Sequence, residues 1–228
     1  MEIDHTVVDL FVVDDELRVP LGKPRITNII DWKSKCILGF YIGFEDVSYI
    51  SVAKAIKSAI SDKSALLEKY PNVKNSWPCK GVFQSISYDR GREFESNLLA
   101  DALLELQISG TGNPAGKPWY KGTVESFFNT LNQQLLSDIP GKVFAHIADS
   151  NDYHPEKNAV ISLQDFREIY IKWIVDIYHV NTNSSETRIP IKTWQEDEPF
   201  VGIREVDQER LDIIFSENII IHSSIHSV

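Results

Sequence analysis

The chain has 228 residues, 43% of them hydrophobic, 11% aromatic and 25% charged, a composition that supports one sizeable core and excludes disordered, collagen-like and coiled-coil chains. Its net charge is −10, with 16 basic against 19 acidic side chains in residues 1–150 and 7 against 14 beyond, which argues against a nucleic-acid partner held by a basic surface. The longest apolar run, Ile37–Phe44, stops at Glu45, far short of the roughly 18–20 residues of a membrane span, and no secretory leader pattern follows Met1, so a cytoplasmic location with no membrane partner is expected.

Ile3–Val13 alternates and then runs apolar before Asp14-Asp15-Glu16, and reads as a strand and turn. Arg25–Trp32 and Cys36–Phe44, joined by Lys33-Ser34-Lys35, read as a hairpin, so three antiparallel strands open the domain. Val52, Ala55, Ile56, Ala59 and Ile60 repeat at helical spacing after Ser48 or Ser51 as a cap. Phe83–Tyr88 is a short strand delivering Asp89. Leu98 to Leu106 form an amphipathic helix, and Ile108–Thr111 a strand. A turn-rich loop, Gly112 to Pro118, precedes a helical pattern from Gly122 through Val124, Phe127, Phe128, Leu131 and Leu135, predicted to end near Pro140-Gly141. A helix capped by Ser162 runs to about His179, and the pattern weakens after Asn181–Glu186. Antiparallel strands followed by alternating strands and helices make a mixed α/β domain. Cys36 and Cys79 lie 43 positions apart, neither with a partner at metal-ligand spacing, which suggests neither a disulfide nor a zinc ribbon.

Three acidic residues hold special places: Asp4 on the first strand, Asp89 after the fourth, and Glu125 in the first turn of the helix after the Gly/Pro loop. They converge if the first and fourth strands are neighbours. Carboxylates suit hard divalent cations, and three of them can hold two metal ions against one phosphodiester, a route to DNA that needs no basic surface. Each acid alone also reads as an ordinary strand-flanking or helix-start residue.

Glu2-Ile3-Asp4-His5-Thr6 resembles the first catalytic motif of DDE transposases and retroviral-type integrases. Tyr88-Asp89-Arg90-Gly91-Arg92-Glu93-Phe94 resembles their second, usually D-N-G-x-E-F, and Lys121-Gly122-Thr123-Val124-Glu125-Ser126-Phe127-Phe128 their third, usually K-G-x-V-E-R-F-F. The 35 residues between Asp89 and Glu125 match the D-D-35-E spacing. Leu21-Gly22-Lys23-Pro24, Ile37-Leu38-Gly39-Phe40-Tyr41, Ser48-Tyr49, Trp77-Pro78, Pro118-Trp119 and Thr130-Leu131-Asn132 resemble the TnsB/Mu-type branch. Two departures stand out: Arg90 where Asn is usual, and Ser126 where Arg is usual; neither removes a metal ligand.

The resemblance implies an RNase H-like mixed five-stranded sheet flanked by helices over residues 1–182. Residues 183–228 would be a linker and the incomplete start of a small C-terminal β-barrel. It further implies Mg²⁺ as cofactor, with Mn²⁺ as a substitute, two ions per active site held by Asp4, Asp89 and Glu125. The implied reaction is 3′-end nicking of transposon DNA and strand transfer into target DNA, in a synaptic multimer of transposase subunits with an ATP-dependent target-selection protein. The first motif begins at Met1, without the DNA-binding helical domains that family members carry ahead of it, so an excised catalytic fragment is expected. A metal nuclease of the same fold that cuts without joining, and a noncatalytic integrase-like assembly module, are the competing readings.

Arg90, Arg92, Lys117, Trp119 and Lys121 are candidate DNA contacts, the lysines for phosphates and the indole for a stacked base, although Trp119 equally suits packing of its loop. Asn129, with Asn132, follows Glu125 on its helix face as a possible contact to the scissile strand or as a solvated position. His222 and His226 have i, i+4 spacing but lie in a segment without a helical pattern. His5 faces away from Asp4 on the first strand and is expected to pack.

Overall fold

Alternation of β-branched and polar residues sets the first strand, β1 (Glu2–Val7), but the strand stops there rather than running to Val13. Val12–Val13 (β2) pairs instead with Pro20–Gly22 (β3) in a separate two-stranded ribbon. The reversal between them is held by Asp14, whose Oδ1 accepts the N–H groups of Glu16 (3.0 Å) and Leu17 (2.7 Å), a local bond that competes with strand continuation. The computed structural model describes residues 1–89, 94, 96–112, 122–137, 139–143, 154–182 and 188–215.

Arg25–Ile30 (β4) and Ile37–Gly43 (β5) form the expected hairpin. Helix α1 (Tyr49–Ile60) starts at Ser48, whose N–H donates to Ser51 Oγ at 3.1 Å. A single turn, α2 (Ser64–Leu67), and a long connection lead to β6 (Ser85–Tyr88), then α3 (Asn97–Glu105) and β7 (Ser109–Gly112). Helix α4 (Gly122–Gln134) ends a turn and a half earlier than its apolar pattern predicts. Helix α5 (Leu163–Trp173) has the predicted Ser162 cap, with Asp165 N–H donating to Ser162 Oγ at 3.1 Å, and passes into a π-helical turn, Ile174–Tyr178.

The sheet order is β5-β4-β1-β6-β7, with β5, β4 and β1 antiparallel and β6 and β7 parallel additions. Helix α1 covers one face so closely that a Cβ on Gly39 would sit 2.2 Å from Ala59 N. On the opposite face the Phe40 ring meets Tyr170 of α5 edge-on at 5.0 Å, and Phe127 of α4 packs against Trp173 (5.8 Å) and Tyr178 (5.0 Å). Such aromatic pairs contribute about 0.5–1.5 kcal/mol each beyond their burial. This aromatic layer fixes α4 and α5 over the sheet.

Beyond the core, α6 (Pro190–Val201) opens on a proline in its first turn, where the missing N–H costs nothing. A further helical segment spans 208–215. Both dock on the core: Ile191 N–H donates to His179 O (3.0 Å), Val82 N–H donates to Arg204 O (2.8 Å), and Lys57 pairs with Asp212. Residues 183–187 and 216–228 of the region expected to lead into a β-barrel lie outside the described residues.

Candidate active site

Strands β1 and β6 are parallel neighbours, each with an acidic residue, Asp4 within β1 and Asp89 just beyond β6. The strand register pairs Glu2 with Ser87; continued by two residues it sets Asp89 abreast of Asp4, about 4.8 Å being the spacing of adjacent strands. Period-2 alternation sends Glu2 and Asp4 to the same face. Asp4 is half-buried and its Oδ1 accepts the His5 N–H at 2.8 Å. Asp89 is exposed, one residue beyond the end of β6.

That face is the one that α4 covers. The Glu2 side chain is buried beside the Thr123 hydroxyl and the Val124 N–H in the first turn of α4, without forming a well-directed hydrogen bond to either. Burial pushes the Glu2 carboxyl above its ordinary range, opposed by Thr123 and by the Lys35 ammonium, which itself donates to Thr123 Oγ1 at 3.0 Å. Glu125 follows two residues later, exposed in the same first turn, where the helix N-terminus favours a negative charge. Val124, Phe127, Phe128 and Leu131 carry the buried side of this helix.

His5 takes the packing role expected of it: its Nδ1 lies 2.7 Å from Thr27 Oγ1 and its ring 5.5 Å from that of Phe94. Asn129 is exposed and Asn132 half-buried on α4. Arg90, Arg92, Lys117, Trp119, Lys121, His222 and His226 lie outside the described residues. The residues of the acidic face that sequence reasoning missed are Asn28, buried in β4 directly opposite Asp4, and its partner Tyr170, whose hydroxyl donates to Asn28 Oδ1 at 2.7 Å. An asparagine inside the run Ile26-Thr27-Asn28-Ile29-Ile30 was the available signal, because asparagine is depleted in strands.

Cys36 and Cys79 are both buried free thiols, and their spacing along the chain does not reveal their neighbour in space. Long-range folding brings Cys36, Cys79 and His179 together, with one ligand atom from each within 4.8 Å of the others and all three residues buried. His179 Nε2 accepts the Ile37 N–H at 2.9 Å, which places its proton on Nδ1 and leaves neither ring nitrogen open to a metal. The cluster is therefore a packed junction between the β4–β5 hairpin, the connection before β6 and the end of α5. A separate apolar cavity of about 150 Å³, lined by Met1, Leu38, Phe83 and Trp194 among others, lies at the opposite end of β1 and β6 from Asp4 and Asp89.

The sheet order is that of an RNase H-like mixed sheet, and the similarities found to known proteins put the chain in the DDE transposase and integrase superfamily. Residues 2–141 match the family model of the TnsB C-terminal domain, and the chain belongs to that family. It is 26% identical over 216 residues to the transposase for transposon Tn552 of Staphylococcus aureus, covering 95% of this chain and 41% of that protein. It is 30% identical over 228 aligned positions to the transposon Tn7 transposition protein TnsB of Escherichia coli, covering 93% of this chain and 32% of that one. The chain thus spans less than half the length of these relatives. Among solved structures, a chain of the simian T-cell lymphotropic virus intasome in complex with a PP2A regulatory subunit shares the fold, with a TM-score of 0.50 at 14% identity over 91% of this chain and 57% of that one.

Proposed function

We propose that the chain is the catalytic core of a TnsB-type DNA transposase, which nicks transposon 3′ ends and transfers them into target DNA. The observation that supports this reading is the parallel pairing of β1 with β6 at Glu2 and Ser87, a register that, continued by two residues, would set Asp4 abreast of Asp89. Two carboxylates at adjacent strand positions, one half-buried and one exposed, form a donor set of hard oxygens that fits Mg²⁺ or Mn²⁺. Asp4 and Asp89 would share one ion, and Glu125 would complete the site for a second. Bound there, such ions supply activation of the attacking hydroxyl and stabilisation of the leaving oxygen in an in-line displacement.

The protein's own groups set the geometry. The His5 N–H restrains one oxygen of Asp4. Packing of Val124 and Phe127 fixes the first turn of α4, so that Glu125 is carried on a rigid element rather than a loop. Arg90, Arg92, Lys117, Trp119, Lys121 and Asn129 are the proposed DNA contacts. Residues 1–182 are the proposed catalytic unit and 183–228 the proposed linker towards a β-barrel. The relatives' names, a transposase and a transposition protein, are consistent with transposon and target DNA as substrates, and assembly with further transposase subunits and with an ATP-dependent target-selection protein completes the proposal.

The test is joining of a labelled duplex with a free 3′-hydroxyl to plasmid DNA, in Mg²⁺ or Mn²⁺, with the wild-type chain and Asp89→Asn. Metal-dependent joined product that disappears in Asp89→Asn, with an unchanged circular dichroism spectrum, is expected. Cleavage without joined product would assign a nuclease instead, and equal joining by both proteins would refute the carboxylate site.

A further inference from the structure

Asn28 is fully buried at the centre of β4, in a position that otherwise calls for an apolar residue. It pairs with Asp4 across the β1–β4 ladder and with Phe40 across the β4–β5 ladder. Directly paired residues project from the same face of a sheet with Cβ atoms about 4.5–5.5 Å apart, so the Asn28 amide and the Asp4 carboxylate are side-by-side neighbours. Tyr170, itself fully buried on α5, donates its hydroxyl to Asn28 Oδ1 at 2.7 Å. Among the described residues, Asn28 Nδ2 is buried with no hydrogen-bond partner.

The chemistry fixes which way round the amide belongs. The reverse orientation would turn Oδ1 towards the carboxylate of Asp4 and oppose two acceptors. With Tyr170 holding the oxygen, Nδ2 is the polar atom of Asn28 left to serve its neighbour Asp4. The Tyr170 bond accounts for Oδ1, while the buried Nδ2 donor without a partner calls for a separate explanation.

We propose that Asn28 is a positioning residue for the catalytic centre: its Nδ2 donates to the Asp4 carboxylate when that group turns to engage a divalent ion. The Oδ1 of Asp4 is already restrained by the His5 N–H, and a donor on the neighbouring strand fixes the rotation of the carboxylate plane. Tyr170 locks the donor, so a line of contacts runs from α5 through β4 to β1. The inference rests on the metal-binding reading of Asp4 and Asp89 given above.

Mn²⁺ titration by calorimetry on the 228-residue chain tests it, with wild type, Asn28→Leu, Tyr170→Phe, the double variant Asn28→Leu/Tyr170→Phe, and Asp89→Asn. Residues that orient metal ligands typically change metal affinity about 10–100-fold, so Asn28→Leu is expected to weaken Mn²⁺ binding at least about 10-fold. The double variant removes the hydroxyl stranded by Asn28→Leu. It is expected to melt at the wild-type temperature while keeping the weakened metal affinity, a separation that a packing role would not produce. In the ¹⁵N-labelled wild type, the side-chain amide resonance absent from Asn28→Leu should shift on adding Mg²⁺, and should not shift in Asp89→Asn. Wild-type affinity in Asn28→Leu or in the double variant, with Asp89→Asn defective, would overturn the role of Asn28 alone. Identical titrations of wild type and Asp89→Asn would overturn the metal site itself, and this inference with it.

Discussion

Protonation of His179 is opposed by the fold, and the effect is large enough to measure. Its ring is wholly buried and its Nε2 accepts the Ile37 N–H, so desolvation, helped by the nearby Lys63 ammonium, lowers its pKa from 6.5 to about 3. Between those values the unfolded chain binds a proton that the folded chain refuses. Stability from this group is therefore complete above about pH 6.5 and is lost as pH falls towards 3. At pH 5 the unfolded imidazole is about 1.5 pH units below its own pKa, which at 1.36 kcal/mol per unit removes about 2 kcal/mol. For a urea dependence of about 2–3 kcal/mol per molar, the unfolding midpoint should fall by about 0.7–1 M between pH 7 and pH 5. His179→Gln keeps an acceptor for the Ile37 N–H without a titrating ring. Urea melts of both proteins at the two pH values isolate the contribution: the wild type should lose about 2 kcal/mol more than the variant. Equal losses would show that protonation of His179 is not resisted by the folded state.

Gly39→Ala should fail to fold or lose about 3 kcal/mol or more, because the added methyl meets the α1 backbone at Ala59 N (2.2 Å) and Cα (2.5 Å) and overpacking against backbone has no side chain to yield; thermal melts check this, and a wild-type melting temperature would contradict the α1–β5 packing. Lys63 is buried, donates to Ala59 O (2.8 Å) and Cys79 O (2.6 Å), and has its pKa lowered by desolvation to about 7. The unfolded chain therefore binds more protons from about pH 7 to 10.5, so stability should rise with pH across that window in the wild type and stay flatter in Lys63→Met, read from urea midpoints at pH 7 and 9.

The elements that carry the acids were legible because their signals are local. Alternation marked β1, apolar β-branched and aromatic runs marked β4 and β5, helical spacing marked α1 and α4, and Ser162 capped α5 as its position predicts. The pairing of β1 with β6, on which convergence of Asp4 and Asp89 depends, was a condition in the sequence and became an observation only through the sheet order. The turn at Asp14 was legible, but the break after Val7 was hidden because the apolar run carries on through it into β2. The end of α4 was read too late because Leu135 and Leu136 continue the apolar pattern through turns that are not helical. Most distant from sequence are the contacts made across more than 100 residues, such as Tyr170 with Asn28 and His179 with Ile37. No spacing rule reaches such pairs, since each depends on how α5 is laid over the sheet.

Divalent-metal titration of the wild-type chain against Asp89→Asn at near-neutral pH tests the carboxylate site most directly. Asp89 is exposed at the end of β6, so its amide variant should keep the fold, as circular dichroism and the melting temperature will report. Mn²⁺ binding that is present in the wild type and weakened at least about 10-fold in Asp89→Asn is the predicted result. Identical binding curves, with and without a short duplex bearing a free 3′-hydroxyl, would contradict the claim that Asp4 and Asp89 form one metal site.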